Sequence, residues 1–257
     1  MQIHILASGS TGNAIFVQLG ETKLLVDAGI SCRRIERGLA AFGVKVGDLD
    51  AILVTHEHTD HIKGLDVMVR KHQIPVYARE RTWEKISCRD RLPVACCREL
   101  PHELTLSKIR VQAFNTLHDA IDPVGFCFYY RKTKWVVATD LGKVTESVKQ
   151  ALDHAEVVVL ESNYDIQMLN TGSYPEFLKK RIRSPLGHLS NQDAAEALVQ
   201  VQLKDCAHVF LAHLSQNNNR PDIAETTVTE FLTGAGYEIG RDIIVHRTFP
   251  DQTASFI

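Results

Sequence analysis

Ala51-Ile52-Leu53-Val54-Thr55-His56-Glu57-His58-Thr59-Asp60-His61 joins an apolar run to three imidazoles and a carboxylate packed into six residues. The apolar part reads as a buried strand, and the polar hexapeptide is what that strand delivers at its end. Crowded imidazoles repel one another when protonated, unless a cation shares their lone pairs. Imidazole and carboxylate donors at this spacing suit a first-row divalent metal. The cluster is internal and contains acidic residues, so it does not read as a purification tag.

Outward from this stretch the chain alternates short apolar runs with helical patterns. Strands are expected at 3–7, 14–19 and 23–26, and a helix over 32–42 places Ile35, Leu39 and Phe42 on one face. A second helix is expected over 62–72, with Ile62, Leu65 and Val69 on one face, and Pro75 opens a strand ending near 78. The second half repeats the scheme. Strands are expected at 108–115, 125–131, 135–138, 157–160, 208–212 and 242–247, and helices at 145–155, 174–183, 192–204 and 222–234. Lys23-Leu24-Leu25-Val26-Asp27-Ala28-Gly29 is faintly echoed by Lys134-Trp135-Val136-Val137-Ala138-Thr139-Asp140-Leu141-Gly142, each an apolar strand ending in Asp and a nearby Gly.

The chain has 257 residues, 44% of them hydrophobic and 23% charged, the balance of an ordinary globular protein. No linker or low-complexity segment divides it, so one domain over 1–257 is expected. A net charge of −2 argues against a protein that coats nucleic acid wholesale, but it leaves room for local basic patches. The N-terminus lacks a basic signal-peptide start, and no apolar run approaches the ~18 residues of a membrane span. The six cysteines form no C-x-x-C pair and read as reduced packing residues. A cytoplasmic protein without a membrane partner is the expectation.

Three further ionisable residues end apolar strands: His118, Asp140 after Trp135-Val136-Val137-Ala138, and His213 after Val209-Phe210-Leu211-Ala212. Taken singly, each is as readily a turn former or a hydrogen-bonded core residue. Together with the hexapeptide they resemble the metallo-β-lactamase superfamily, an α/β fold built as a four-layer αβ/βα sandwich. The resemblance runs from Ser8 to about Ser215. It implies two divalent metal ions, one held by His56, His58 and His118 and the other by Asp60, His61 and His213, with Asp140 bridging. Asp27 then matches a buried carboxylate that supports the ligand loop. Glu57 and Thr59 are spacers.

Within the superfamily the chain is most similar to the YycJ/WalJ group of metal-dependent exonucleases, related to ribonucleases Z and J. Leu6-Ala7-Ser8-Gly9-Ser10-Thr11-Gly12-Asn13, His118-Asp119-Ala120, Leu160-Glu161-Ser162-Asn163, Gly187-His188-Leu189-Ser190-Asn191 and Leu211-Ala212-His213-Leu214-Ser215 carry the likeness. Tyr164 departs from it, standing where the group has His. Only the 72 residues 141–212 separate Asp140 from His213, too few for a β-CASP insertion, and the long arm of ribonuclease Z has no counterpart. A compact core of this kind grips its substrate with short loops or with the partner subunit of a homodimer.

The resemblance implies phosphodiester hydrolysis by a hydroxide bridging two ions about 4 Å apart. Zinc and manganese both accept the His and carboxylate set. Asp60 is expected to orient the hydroxide, and His188 to give the leaving oxygen its proton. Ser190 and Asn191 are expected to bind substrate, because a helix start offers free N–H groups to a phosphate. The Gly-rich stretch 8–13 reads as a turn first and a substrate-facing loop second. Lys179-Lys180-Arg181-Ile182-Arg183 reads equally as a track for a nucleic-acid backbone and as a solvated helix face, with Tyr164, Tyr174 and Phe177 as nearby stacking candidates. Trp83 and Trp135 are expected in the core. The partner is expected to be nucleic acid, with DNA favoured. A small-molecule hydrolase acting on a cyclic phosphodiester or a thioester is the alternative.

Overall fold

The computed structural model describes residues 1–257. Its strands, in chain order, are β1 (Gln2–Ala7), β2 (Ala14–Leu19), β3 (Thr22–Val26), β4 (Ala51–Leu53), β5 (Val76–Ala78), β6 (Cys97–Glu99), β7 (Glu103–Leu106), β8 (Ile109–Asn115), β9 (Val124–Tyr130), β10 (Thr133–Ala138), β11 (Val157–Glu161), β12 (Ala207–Ala212), β13 (Ile243–Arg247) and β14 (Ala254–Phe256). The chain divides into two compact units, Met1–Ala113 with Ala120–Pro123 and Pro250–Ile257, and Phe114–Asp119 with Val124–Phe249. A search for linkers is blind to this division, because no low-complexity stretch marks it.

In the first unit the sheet order is β14-β1-β2-β3-β4-β5-β6. β1, β2 and β3 form an antiparallel meander closed by a tight turn at Gly20, which adopts φ 60°, a left-handed conformation that glycine reaches without strain. From β3 to β6 the strands are parallel, so each return requires a crossover. β3 and β4 are apolar and buried on both faces, as strands inside a parallel sheet must be. Helices Cys32–Ala40 and Leu65–His72 supply the crossovers' apolar faces, with Ile35, Leu39, Leu65, Met68 and Val69 packed against Phe16, Leu25 and Ile52. β7 and β8 make an antiparallel hairpin.

In the second unit the strands run β13-β12-β11-β10-β9. β9 and β10 are an antiparallel hairpin, whereas β10 through β13 are parallel. Residues Ala138, Leu160 and Leu211 lie in register across β10, β11 and β12, so the carboxyl ends of these three strands share one edge. The core beneath them contains Val136, Leu152, Val158, Leu198, Val209, Val228 and Leu232. Trp83 and Trp135 are both buried, as expected.

The helix expected over 62–72 is two helices, Thr59–Ile62 and Leu65–His72, with Gly64 between them. Gly64 donates its N–H to Ala28 at 2.7 Å, and a Cβ there would stand 2.1 Å from the Ile30 carbonyl. The chain therefore bends at a point of backbone contact. Asp60 and His61 lie on the short first helix rather than in the loop before it. Short elements such as β6, β14 and helix Glu80–Lys85 carry too little periodicity to be read in advance.

Candidate functional site

In the first unit, the residues after β4 fold back as a compact loop pinned by backbone bonds. Asn13 donates its N–H to the Asp60 carbonyl, Ala28 donates to His61, and Gly29 donates to Asn13, each at 2.8 Å. Gly29 has no substitute here, since a Cβ would fall 1.6 Å from the Asp60 carbonyl oxygen. The Asn13 amide braces the 8–13 turn, accepting from Gly9 N–H at 2.9 Å, and its Nδ2 lies 3.2 Å from His61 Nε2. That turn is thus tied into the histidine loop.

Asp27 follows β3 with φ 61°, a left-handed conformation that a β-branched or bulky residue adopts only under strain. Its carboxylate accepts from the Thr55 N–H at 2.9 Å and the Thr55 hydroxyl at 2.9 Å, and it lies 2.7 Å from His61 Nδ1. His61 is fully buried, so this contact sets its tautomer: Nδ1–H donates to Asp27, and the lone pair is left on Nε2. His56 Nε2 and His58 Nδ1 stand 3.0 Å apart, and the rings of His56 and His61 are 4.1 Å centre to centre. Asp60 Oδ2 lies 3.6 Å from His61 Nε2. These imidazole nitrogens and this carboxylate oxygen are donor types that divalent cations accept. Glu57 is more than a spacer: its Oε1 accepts from the Ile121 N–H at 2.8 Å and anchors the 120–123 segment.

In the second unit the donors come from separate strand ends. Asp140 and His213 have φ of 57° and 55°, so both leave their strands through left-handed backbone. Such conformations cost free energy and concentrate at functional sites. Asp140, Glu161, His188 and His213 each offer a donor atom within 4.8 Å of the others. His118 Nε2 lies 3.6 Å from Asp140 Oδ1, while its Nδ1 donates to the Gly187 carbonyl at 3.0 Å. Burial pushes the His118 imidazolium below the ordinary histidine range, offset in part by the Asp140 charge. The neutral ring that results, with its N–H committed at Nδ1, presents Nε2 as a ligand.

Glu161 is the residue missed in the sequence. It is fully buried at the end of β11, with Oε1 2.7 Å from His188 Nδ1 and 2.9 Å from His213 Nδ1. Its Oε2 accepts from the Leu141 N–H at 2.6 Å and the Leu189 N–H at 3.3 Å. Burial pushes its pKa up, but the neighbouring His188 charge and the hydrogen bonds from His188 and His213 outweigh that and hold it low. Glu161 stays ionised and orients two histidines at once. An acid closing the apolar run Val157-Val158-Val159-Leu160 was a readable signal of the same kind as Asp140.

Ser190 and Asn191 are both buried at a helix start. Ser190 caps helix Asn191–Val199 in a capping box with Asp193, both backbone and hydroxyl engaged. Asn191 accepts from the Ser162 hydroxyl at 2.7 Å and exchanges hydrogen bonds with Asn219, and its own N–H donates to the Tyr164 carbonyl. Both residues are 1% exposed, so the N–H groups expected to hold phosphate are spent inside the protein. Of the basic run only Lys179 is buried, while Lys180, Arg181 and Arg183 are exposed. Lys179 donates to the Asn170 carbonyl, Arg181 pairs with Asp119, and Arg183 donates to Asn170. Tyr164 is buried too, which pushes its hydroxyl up to about 12. Tyr174 accepts a hydrogen bond from Asn217, and Phe177 is exposed.

A sequence profile described as Beta-lactamase superfamily domain matches residues 22–213. The chain is 39% identical over 253 residues to the exodeoxyribonuclease YycJ of Bacillus anthracis, covering 97% of this chain and 96% of that one. It is 38% identical over 252 residues to the exodeoxyribonuclease WalJ of Streptococcus pneumoniae, covering 96% and 94% respectively. Among solved structures, zinc-bound PqqB from Methylobacterium extorquens is similar with a TM-score of 0.71 at 16% identity, covering 99% of both chains. At that identity the likeness is one of fold.

Proposed function

The chain is a member of the metallo-β-lactamase superfamily, and from that membership we propose that it is a divalent-metal-dependent phosphodiester hydrolase that acts as a DNA exonuclease. The observation that carries this reading is the pair of donor clusters, each backed by a buried carboxylate that fixes histidine tautomers. Similarity to two exodeoxyribonucleases over nearly the whole chain supports the choice of substrate.

The residues present fit a two-cation centre, since neutral imidazoles and carboxylates are the donors zinc and manganese accept. By the superfamily pattern, His56, His58 and His118 would hold one ion and Asp60, His61 and His213 the other, with Asp140 as a further ligand. When bound, such ions supply Lewis acidity towards phosphate and an acidified water. Asp27 and Thr55 keep His61 in its donor tautomer, and Glu161 does the same for His213. Asp60, partly exposed beside His61, would orient the attacking water or hydroxide. His188 is held by Glu161 through Nδ1, which leaves Nε2 to give a proton to the departing alkoxide. The six free cysteines suit a reducing compartment, and the cytoplasm is the location this reading implies. No helix is long and apolar enough to cross a membrane.

The test is to incubate metal-reconstituted protein with end-labelled DNA, end-labelled RNA and bis-p-nitrophenyl phosphate. DNA is expected to be degraded from an end, and Asp60→Ala is expected to lose activity on the order of 10³-fold or more on all substrates. Turnover of the small ester, a cyclic phosphodiester or a thioester with no polynucleotide cleaved would replace the nuclease reading with that of a small-molecule hydrolase.

A further inference from the structure

Within the second unit, His188 forms part of the wall of a half-open cleft of about 330 Å³, which Gly142, Lys143, Lys149, Tyr164 and Arg183 also line. This volume is at the low end for ligand clefts, roughly 300–1,000 Å³, and suits one nucleotide rather than a duplex. Two of its three cations, Lys143 and Lys149, lie outside the basic run 179–183. Lys143 is exposed on the loop after Asp140, and Lys149 is half-buried on helix Glu146–Leu152. Neither lysine makes an ion pair, in contrast to Arg181 and Lys179. Asp193 and Glu196 also line the cleft, but Asp193 is engaged by Ser190 and Glu196 by the Gln192 amide. Three cations thus face two carboxylates already bound within the protein.

We propose that this cleft is the subsite for the nucleotide on the leaving-group side of the scissile phosphate, with Lys143 and Lys149 as the cations that hold its flanking phosphate. The inference rests on the nuclease reading and adds the residues through which a polynucleotide is distinguished from a small phosphodiester. The placement follows from His188: the group that protonates the leaving oxygen lines the cleft, so the nucleotide carrying that oxygen lies beside it. Both lysines contact phosphate as point charges, so their effect is sequence-independent and screened by salt.

The experiment compares metal-loaded wild type, Lys143→Ala/Lys149→Ala and Lys143→Arg/Lys149→Arg on a single-stranded oligonucleotide across a potassium chloride series, with bis-p-nitrophenyl phosphate in parallel. For the double alanine variant, KM for the oligonucleotide is expected to rise about tenfold with kcat within about twofold. The slope of log KM against log salt should fall by about 1.4, roughly 0.7 for each lost phosphate contact to a single strand. Hydrolysis of the small ester and thermal unfolding should not change, and the arginine pair should restore both KM and slope. An oligonucleotide KM and salt slope equal to wild type would overturn the subsite. A wild type that hydrolyses the ester but no polynucleotide would overturn the nuclease reading and the subsite with it, an outcome visible before any variant is made.

Discussion

The two units build their donor clusters in opposite ways. In the first, His56, His58, Asp60 and His61 come from one six-residue turn, and a single carboxylate, Asp27, stands behind one histidine. In the second, His118, Asp140, His188 and His213 are spread over 96 positions, and Glu161 stands behind two histidines while accepting from two backbone N–H groups. A contiguous cluster is held together largely by its own loop geometry. A dispersed one depends on strand register and on a buried hub, so its hub should be the more sensitive position.

After the loss expected at Asp60, the largest effect expected is at His188. His188→Ala should lower kcat on an oligonucleotide by 10²-fold or more, the usual contribution of a general acid, while leaving thermal unfolding unchanged. On bis-p-nitrophenyl phosphate, whose leaving group needs no proton, the loss should be much smaller. An equal loss on both substrates would make His188 a structural member of the dispersed cluster and remove its role in proton transfer.

The next comparison sets the two hubs against each other. Loss of a carboxylate that orients a ligand histidine costs ~10- to 100-fold in metal affinity or activity. Glu161→Gln should therefore lie near the upper figure and Asp27→Asn near the lower, read by chelator competition for bound zinc. Equal losses would mean that the number of histidines served is irrelevant, and the contrast between the units would fail.

Smaller effects concern stability. Asn191→Ala removes a buried amide from the network with Ser162 and Asn219 and should cost about 1–3 kcal/mol in denaturant unfolding, with KM for oligonucleotide unchanged. A raised KM at unchanged stability would return Asn191 to the substrate site. In the first unit, His4 is buried against Phe42 with ring centres 3.5 Å apart, and burial holds its pKa at about 4. The unfolded chain binds this proton near pH 6.5 and the folded chain does not. Stability from His4 is thus fully present above pH 6.5 and declines as pH falls towards 4, by about 1–3 kcal/mol. His4→Gln should flatten unfolding free energy over that window, and an unchanged pH profile would show that His4 is not the group responsible.

Much of the first unit's chemistry was legible in advance because its donors are neighbours along the chain. The apolar run 51–54 announced a strand, and the spacing of His56, His58, Asp60 and His61 announced a metal. Asp140 and His213 were recoverable as polar ends of apolar strands, once the resemblance gave a reason to group them. Glu161 was overlooked because one acid at a strand end resembles any turn residue, and only the register of β10, β11 and β12 brings it to His188 and His213. How Ser190 and Asn191 are engaged was hidden in the sequence for the converse reason. A helix start with polar side chains looks free to bind phosphate, but Asp193, Ser162, Asn219 and Tyr164 had already claimed those groups.

Sequence alone determined that this chain carries a metal-binding α/β fold, because hydrophobic periodicity and ligand spacing are local properties of neighbouring residues. Tertiary structure alone decided which carboxylates act as hubs, which lysines remain without ion-pair partners and which polar side chains are spent on the protein itself. Those outcomes depend on hydrogen-bond and charge partners that lie tens of residues away in the chain, and burial makes each pairing exclusive.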